Sequence, residues 1–237
     1  MHTHEDLRFS IAILWSVVGF GSYYFLSHNR TCLSRFESIC NTLDKQGNQV
    51  LLQRMLGLLL LGIVSALIIL LLPDINLKEY GLTFTFHSAP PWWFWVLIPL
   101  ILIPGYLAAQ KPGNLKQYPQ IRAPEWTRRT IAISSVSWVL FLVGYEFLFR
   151  GFVLHASLEL MGPVPAIALN CAIYAFAHFY KGPGEAFGAI PVGILLCYIT
   201  LITGNFWCAV LLHSVMALSN EWFSLNAHPE MQIVKAS

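Results

Sequence analysis

The chain alternates long stretches free of charged residues with short polar stretches that carry most of its charge. Phe9–Asn29, Met55–Pro73 and Trp92–Gln110 contain no Asp, Glu, Lys or Arg. Each approaches or exceeds the roughly 18–20 residues needed to cross a bilayer as a helix. Seven spans are drawn on this pattern: Phe9–Leu26, Met55–Leu72, Trp92–Ala109, Ile131–Leu158, Val164–Tyr180, Ala186–Thr203 and Phe206–Asn220. Trp92, Trp93, Trp95 and Trp222 sit at span ends, where amphipathic rings favour the headgroup region. Proline and glycine mark the breaks at Pro73, Pro90-Pro91, Pro112-Gly113, Gly162-Pro163 and Gly182-Pro183-Gly184. The expected fold is all-α, a multi-pass transmembrane helical bundle of about seven spans, forming a single integral membrane domain over residues 1–237.

Composition agrees. Of the 237 residues, 56% are hydrophobic and 11% charged, against about 25% charged in an ordinary soluble domain. The net charge of +2 comes with no basic patch, so nucleic acid is not expected as a partner; membrane lipids are. Eleven basic residues (Arg30, Arg35, Lys45, Arg54, Lys111, Lys116, Arg122, Arg128, Arg129, Lys181 and Lys235) fall on one side of the seven spans. Only Arg8 and Lys78 fall on the other. The positive-inside rule then puts the N-terminus outside and the C-terminus in the cytoplasm, as expected for a bacterial inner-membrane protein. The first apolar run is too long for a signal-peptide core and is expected to stay attached. The five cysteines show no CxxC spacing. Cys171, Cys197 and Cys208 read as small core hydrophobes, and Cys32 and Cys40 as thiols in a reducing compartment.

Span four holds the conspicuous chemistry. Glu146 and Arg150 stand four apart in GYEFLFRGF, on one helical face where they can pair. A charge at mid-bilayer costs on the order of 2.5–3.5 kcal/mol, so such a pair marks a protein-lined or wet interior. On span five Asn170, Tyr174 and His178 form an i, i+4, i+8 stripe, and on span seven His213 and Asn220 are seven apart on one face. Glu146, His178 and His213 can all reach the cytoplasmic half. Taken singly, the pair reads equally as a structural lock and each histidine as an interhelical hydrogen-bonding group; their alignment on three spans favours a site. His155, about 180° around the helix from Glu146, reads as interfacial.

These residues resemble the CAAX-protease and bacteriocin-processing (CPBP) family of intramembrane proteases. The family's EExxxR motif is covered by YEFLFRG, its FxxxH motif by Tyr174-Ala-Phe-Ala-His178, and its HxxxN motif by His213-Ser-Val-Met-Ala217. The likeness runs over about residues 138–220 and is similar to a branch written EFFFRG, followed by a lysine and glutamate that Lys181 and Glu185 match. Two positions depart from the pattern: Tyr145 stands at the leading glutamate and Ala217 at the asparagine. The resemblance implies an intramembrane endopeptidase acting on a peptide or lipidated protein near the cytoplasmic face. Glu146 would then be the base, His178 would hold the water and His213 would stabilise the oxyanion. Arg150 and Tyr174 would support them, with Glu185 and Asn220 as substitutes for the two missing groups. Glu185 also reads simply as a helix N-terminal carboxylate. A divalent metal such as zinc stays open, since Glu146, His178 and His213 would supply three ligands and leave only Glu185 as base. The alternative is a catalytically silent family member acting as a scaffold, immunity or partner-binding protein.

Overall fold

The computed structural model describes residues 2–73 and 75–234; Lys235, one of the eleven basic residues above, lies outside them. The helices are α1 (His2–Ser27), α2 (Arg30–Ile39), α3 (Lys45–Gly57), α4 (Val64–Leu71), α5 (Trp92–Ala109), α6 (Pro112–Leu115), α7 (Arg128–Glu146), α8 (Leu154–Met161), α9 (Pro163–Phe176), α10 (Pro183–Thr203) and α11 (Trp207–Ala227). Wide π-helical turns join α3 to α4 (Leu58–Ile63) and α7 to α8 (Phe147–Val153) without breaking either rod. Among the described residues the only sheet is the two-residue parallel pairing of β1 (Glu125–Trp126) with β2 (Gln232–Ile233).

Among the described residues, five helices are long and apolar enough to span a membrane: His4–Ser27, Lys45–Leu71, Trp92–Ala109, Arg128–Met161 and Pro183–Thr203. The other two expected spans correspond to α9 and α11. With 14 residues, α9 measures about 21 Å at 1.5 Å per residue, short of the roughly 30 Å hydrocarbon core. α11 is long enough, but its Ser214, Ser219, Asn220, Glu221 and Ser224 keep it outside the apolar set. The Gly-Pro pairs open α9 and α10. Gly162 (φ +75°) and Gly182 (φ +99°) take a backbone conformation that side chains disfavour, and the proline after each occupies the first helical position.

The chain divides into two compact units, the first comprising Met1–Tyr23, Leu58–Pro90 and Val143–Val210 and the second Tyr24–Gly57, Pro91–Leu142 and Leu211–Ser237. In the first unit, α8, α9 and α10 pack around Leu154, Ala166 and Cys197, with Leu158, Met161, Ile167 and Leu201 against them. Trp15 Nε1 donates to Ser65 Oγ at 2.9 Å, tying α1 to α4. The segment before α5 is fastened to the α10–α11 turn: Trp207 Nε1 donates to Thr83 O (3.0 Å), and Phe84 stacks on Trp207 with centroids 5.0 Å apart. The two π-helical turns meet in this unit. A methyl group at Gly62 would come within 2.8 Å of Gly144 Cα, so the two backbones approach as closely as small residues permit.

The second unit has its own core of Val50, Ile121, Trp126 and Leu225. Beside it lies a buried polar network that the sequence pattern did not foretell. Arg54, expected in a cytoplasmic loop, is inside α3 and only 3% exposed. Its Nη1 donates to Ser134 O (2.7 Å), Ser134 Oγ (3.1 Å) and Ser137 Oγ (3.0 Å), and its Nη2 to Gln120 Oε1 (3.0 Å). The guanidinium lies 4.6 Å from the Trp138 ring centroid and 3.8 Å from Glu221 Oε1. Glu221 also accepts from Ser134 Oγ and from Gln120 N, each at 3.0 Å. Each charge in the network is matched by an opposite charge or by hydrogen bonds, which is the condition under which buried ions persist.

Candidate active site

Three of the expected catalytic and supporting residues share one contact network in the first unit, and a fourth joins it. Glu146 closes α7 and Arg150 lies in the wide turn that follows. Both are fully buried, and Arg150 Nη1 stands 3.2 Å from Glu146 Oε2. The guanidinium also lies over the Tyr174 ring, 4.1 Å from its centroid, a cation–π contact strengthened by the exclusion of water. Asn170, Tyr174 and His178 are buried together, 0%, 2% and 9% exposed, the first two on one face of α9 and His178 in the turn that follows it. A glycine makes the room: a Cβ at Gly193 of α10 would meet Cys171 Sγ at 3.1 Å, Tyr174 Cδ1 at 3.3 Å and Arg150 Nη2 at 3.6 Å.

His178 lies just beyond the end of α9, whose C-cap is Ala177. Its Nδ1 lies 2.8 Å from Tyr174 O. A carbonyl oxygen only accepts, so Nδ1 carries the proton and Nε2 of the neutral ring keeps its lone pair. The imidazole centroid is 4.6 Å from the Tyr174 ring and 6.2 Å from that of Tyr145, which it meets edge-on. Tyr145, at the position of the family's leading glutamate, is a buried packing residue set against Phe149 (4.8 Å) and Tyr174 (5.8 Å).

Glu185, on the first turn of α10, pairs with Lys181 at 3.4 Å, both partly exposed. His213 and Asn220 lie on the part of α11 that belongs to the second unit. There, Asn220 Oδ1 and the neighbouring Ser214 Oγ are buried without a hydrogen-bond partner among the described residues. Ala217 packs against the apolar cluster of Tyr118, Trp138 and Leu142. A surface cavity of about 420 Å³ at β1 and β2, lined by Pro124, Glu125, Pro229, Glu230, Met231 and Gln232, contains none of these residues.

Among the described residues no group of three His, Cys, Asp or Glu side chains is arranged to hold a metal ion. Glu146 is engaged by Arg150, and His178, with Nδ1 on Tyr174 O, offers Nε2 alone. With no third such donor arranged beside them among the described residues, they do not make up a three-ligand centre.

Sequence reading missed the wide turn that carries Arg150, and with it two side chains that grip the turn. Asn170 Nδ2 donates to Phe149 O at 2.6 Å, and His155 Nδ1 lies 2.9 Å from both Arg150 O and Gly151 O. The signal available was the Gly144–Gly151 bracket around EFLFR, since glycine inside a span often marks an irregular turn or a close approach.

Residues 127–219, a little over a third of the chain, match the family profile described as Type II CAAX prenyl endopeptidase Rce1-like. This segment is similar to the CAAX-protease (CPBP) family, and the match supports membership of that family. The match starts just before α7 and contains Glu146, Arg150, Tyr174, His178, Glu185 and His213, while Asn220 lies one residue beyond it. No curated protein and no solved structure matches the chain. Family and apolar spans together make it an integral membrane protein, and the family is one of CAAX-type intramembrane endopeptidases acting on prenylated protein or peptide substrates.

Proposed function

We propose that the chain is an intramembrane endopeptidase that hydrolyses a peptide bond with water activated by Glu146. The observation that carries this reading is the buried contact set of Glu146, Arg150, Tyr174 and His178, in which two ionic groups and an imidazole meet inside an otherwise apolar unit. Ion pairs and histidines within membrane spans mark functional interiors by default.

The chemistry follows from the donors present. A water molecule gives one hydrogen bond to the His178 Nε2 lone pair, which the Nδ1–Tyr174 contact keeps available, and its other proton to Glu146. As its oxygen adds to the scissile carbonyl, Glu146 takes that proton and passes it to the leaving nitrogen when the C–N bond breaks. Arg150 holds the Glu146 carboxylate in place, and the Tyr174 hydroxyl supports it. In this reading His213 donates to the oxyanion, the usual role of a preorganised donor in acyl transfer. Glu185 and Asn220 are reserve groups for the missing carboxylate and asparagine. The excess of basic residues on one side of the spans supports an N-terminus outside and a C-terminus in the cytoplasm.

The test is cleavage of a peptide or lipidated peptide by purified protein in lipid. Glu146→Gln and His178→Ala should each abolish turnover in protein that remains folded at the assay temperature, although Glu146→Gln, which leaves the buried Arg150 without its counter-charge, lowers the unfolding midpoint. Unchanged cleavage in both variants refutes the proposal, and binding without cleavage by the parent protein identifies the silent scaffold instead.

A further inference from the structure

The backbone that presents Arg150 is not an ordinary helix. In an α-helix Phe149 O would accept from Val153 N; here it accepts from Leu154 N, one residue further on, the mark of a π-turn. Such a turn holds one residue more than the α-helical alternative. Relaxing to the α-helix would rotate everything before the turn by about 100° relative to everything after it. Glu146 stands at the start of the turn and Arg150 inside it, so their geometry depends on the register.

Two side chains outside the proposed catalytic set hold that register. Three consecutive carbonyls of the turn are gripped from the side: Phe149 O by Asn170 Nδ2 at 2.6 Å, and Arg150 O and Gly151 O by His155 Nδ1 at 2.9 Å each. Both His155 contacts are to acceptors, so Nδ1 is the protonated nitrogen. Asn170 is in turn oriented by Cys197, whose Sγ lies 3.3 Å from Asn170 Oδ1. His155 is oriented by the loop before α5. The Tyr80 ring centroid is 5.9 Å from its own, and a Cβ at Gly81 would stand 3.5 Å from His155 Cε1. That loop also touches the turn directly, since a Cβ at Gly151 would meet Tyr80 O at 3.1 Å.

We propose that His155 and Asn170 are positioning residues that keep the wide turn of span four in its π-register and thereby set the Glu146–Arg150 pair over Tyr174. His155 is thus the end of a chain of contacts running from the Tyr80–Gly81 loop to the site, rather than an interfacial side chain. The effect on catalysis rests on the endopeptidase reading above; the effect on the turn does not.

The experiment compares His155→Phe, which removes the donor, with His155→Asn, whose amide nitrogen can occupy the place of Nδ1. In the cleavage assay His155→Phe should lower kcat on the order of 10–100-fold with little change in KM, the scale of a misplaced catalytic group. His155→Asn should recover most of that loss. Hydrogen exchange should quicken across residues 149–155 in His155→Phe and Asn170→Leu but not in His155→Asn. Nitrogen NMR of imidazole-labelled parent protein should place the His155 proton on Nδ1, with His155→Asn identifying the signal. Equal impairment of the Phe and Asn variants, parental exchange in His155→Phe, or a proton on Nε2 overturns the assignment. If the parent protein cleaves no peptide, the endopeptidase reading falls, while the exchange and NMR results still decide the role of His155.

Discussion

Arg150 Nη1 lies 3.2 Å from Glu146 Oε2, and neither side chain touches solvent. This pair joins the end of one helical segment to the wide turn that follows it, and Arg150 extends the contact to Tyr174 on α9. Each charge depends on the other, because an isolated ion in so apolar a setting is strongly disfavoured.

Removing one partner should therefore cost more than removing both. Arg150→Met leaves the Glu146 carboxylate uncompensated and should lower stability by about 3–5 kcal/mol. The double variant Glu146→Gln/Arg150→Met should recover a large part of that loss. Chemical unfolding of the parent, the two single variants and the double variant in the same detergent checks this, and strictly additive losses would show that the two groups act independently.

Tyr145 stands where the family carries a further carboxylate, and its ring packs on Phe149, Tyr174 and His178. Truncation to Ala should cost about 3 kcal/mol or more, as for other large buried aromatics, whereas Phe keeps the ring and most of the stability. Tyr145→Glu supplies the missing carboxylate. If water activation is what the chain lacks, that variant should cleave peptide faster than the parent by about 10²-fold, the lower end of the 10²–10⁴-fold that a positioned base contributes. Slower cleavage would assign Tyr145 itself to the working site.

The crossing of the two π-turns leaves no room at Gly62. Gly62→Ala places a methyl group 2.8 Å from Gly144 Cα, and relief requires the backbones to part, at about 1–3 kcal/mol. Gly21→Ala, with nothing within 4 Å of the new Cβ, is the matched control and should be neutral or slightly stabilising through helix propensity. Thermal unfolding of the two variants tests the contrast.

In the second unit the Arg54 network offers a comparable test away from the proposed chemistry. Arg54→Leu strands the buried Glu221 carboxylate and should destabilise by about 3–5 kcal/mol. Ser137→Ala removes one of several hydrogen bonds and should cost about 1 kcal/mol. Equal effects from the two would mean that Glu221 does not rely on Arg54 for its charge.

Several of these features were legible in the sequence. The spacing of Asn170, Tyr174 and His178 predicted a common face, and all three are buried, the first two on α9 and His178 just beyond its end. The four-residue interval of Glu146 and Arg150 predicted a pair, and it forms. Apolar runs predicted the spanning helices because lipid leaves the backbone no partner but itself. The charge of Arg54 puts it, on the sequence pattern, in the loop before span two, whereas it lies inside α3. The helix continues through it, with Ser134, Ser137 and Gln120 supplying from elsewhere in the chain the partners that water would have given.

What the sequence determined by itself is therefore local and compositional: an all-α membrane chain, its helix breaks at Gly162-Pro163 and Gly182-Pro183, and which residues share a face. What only the tertiary structure decided is register and partnership. The wide turn at Phe147–Val153 is held by Asn170 from α9 and by His155 against the Tyr80–Gly81 loop, and Arg150 is set by Tyr174 as much as by Glu146. A π-turn is a poor arrangement for the helix taken alone and persists where side chains satisfy its displaced carbonyls, so Gly144 and Gly151 can mark its place while its register depends on partners far along the chain.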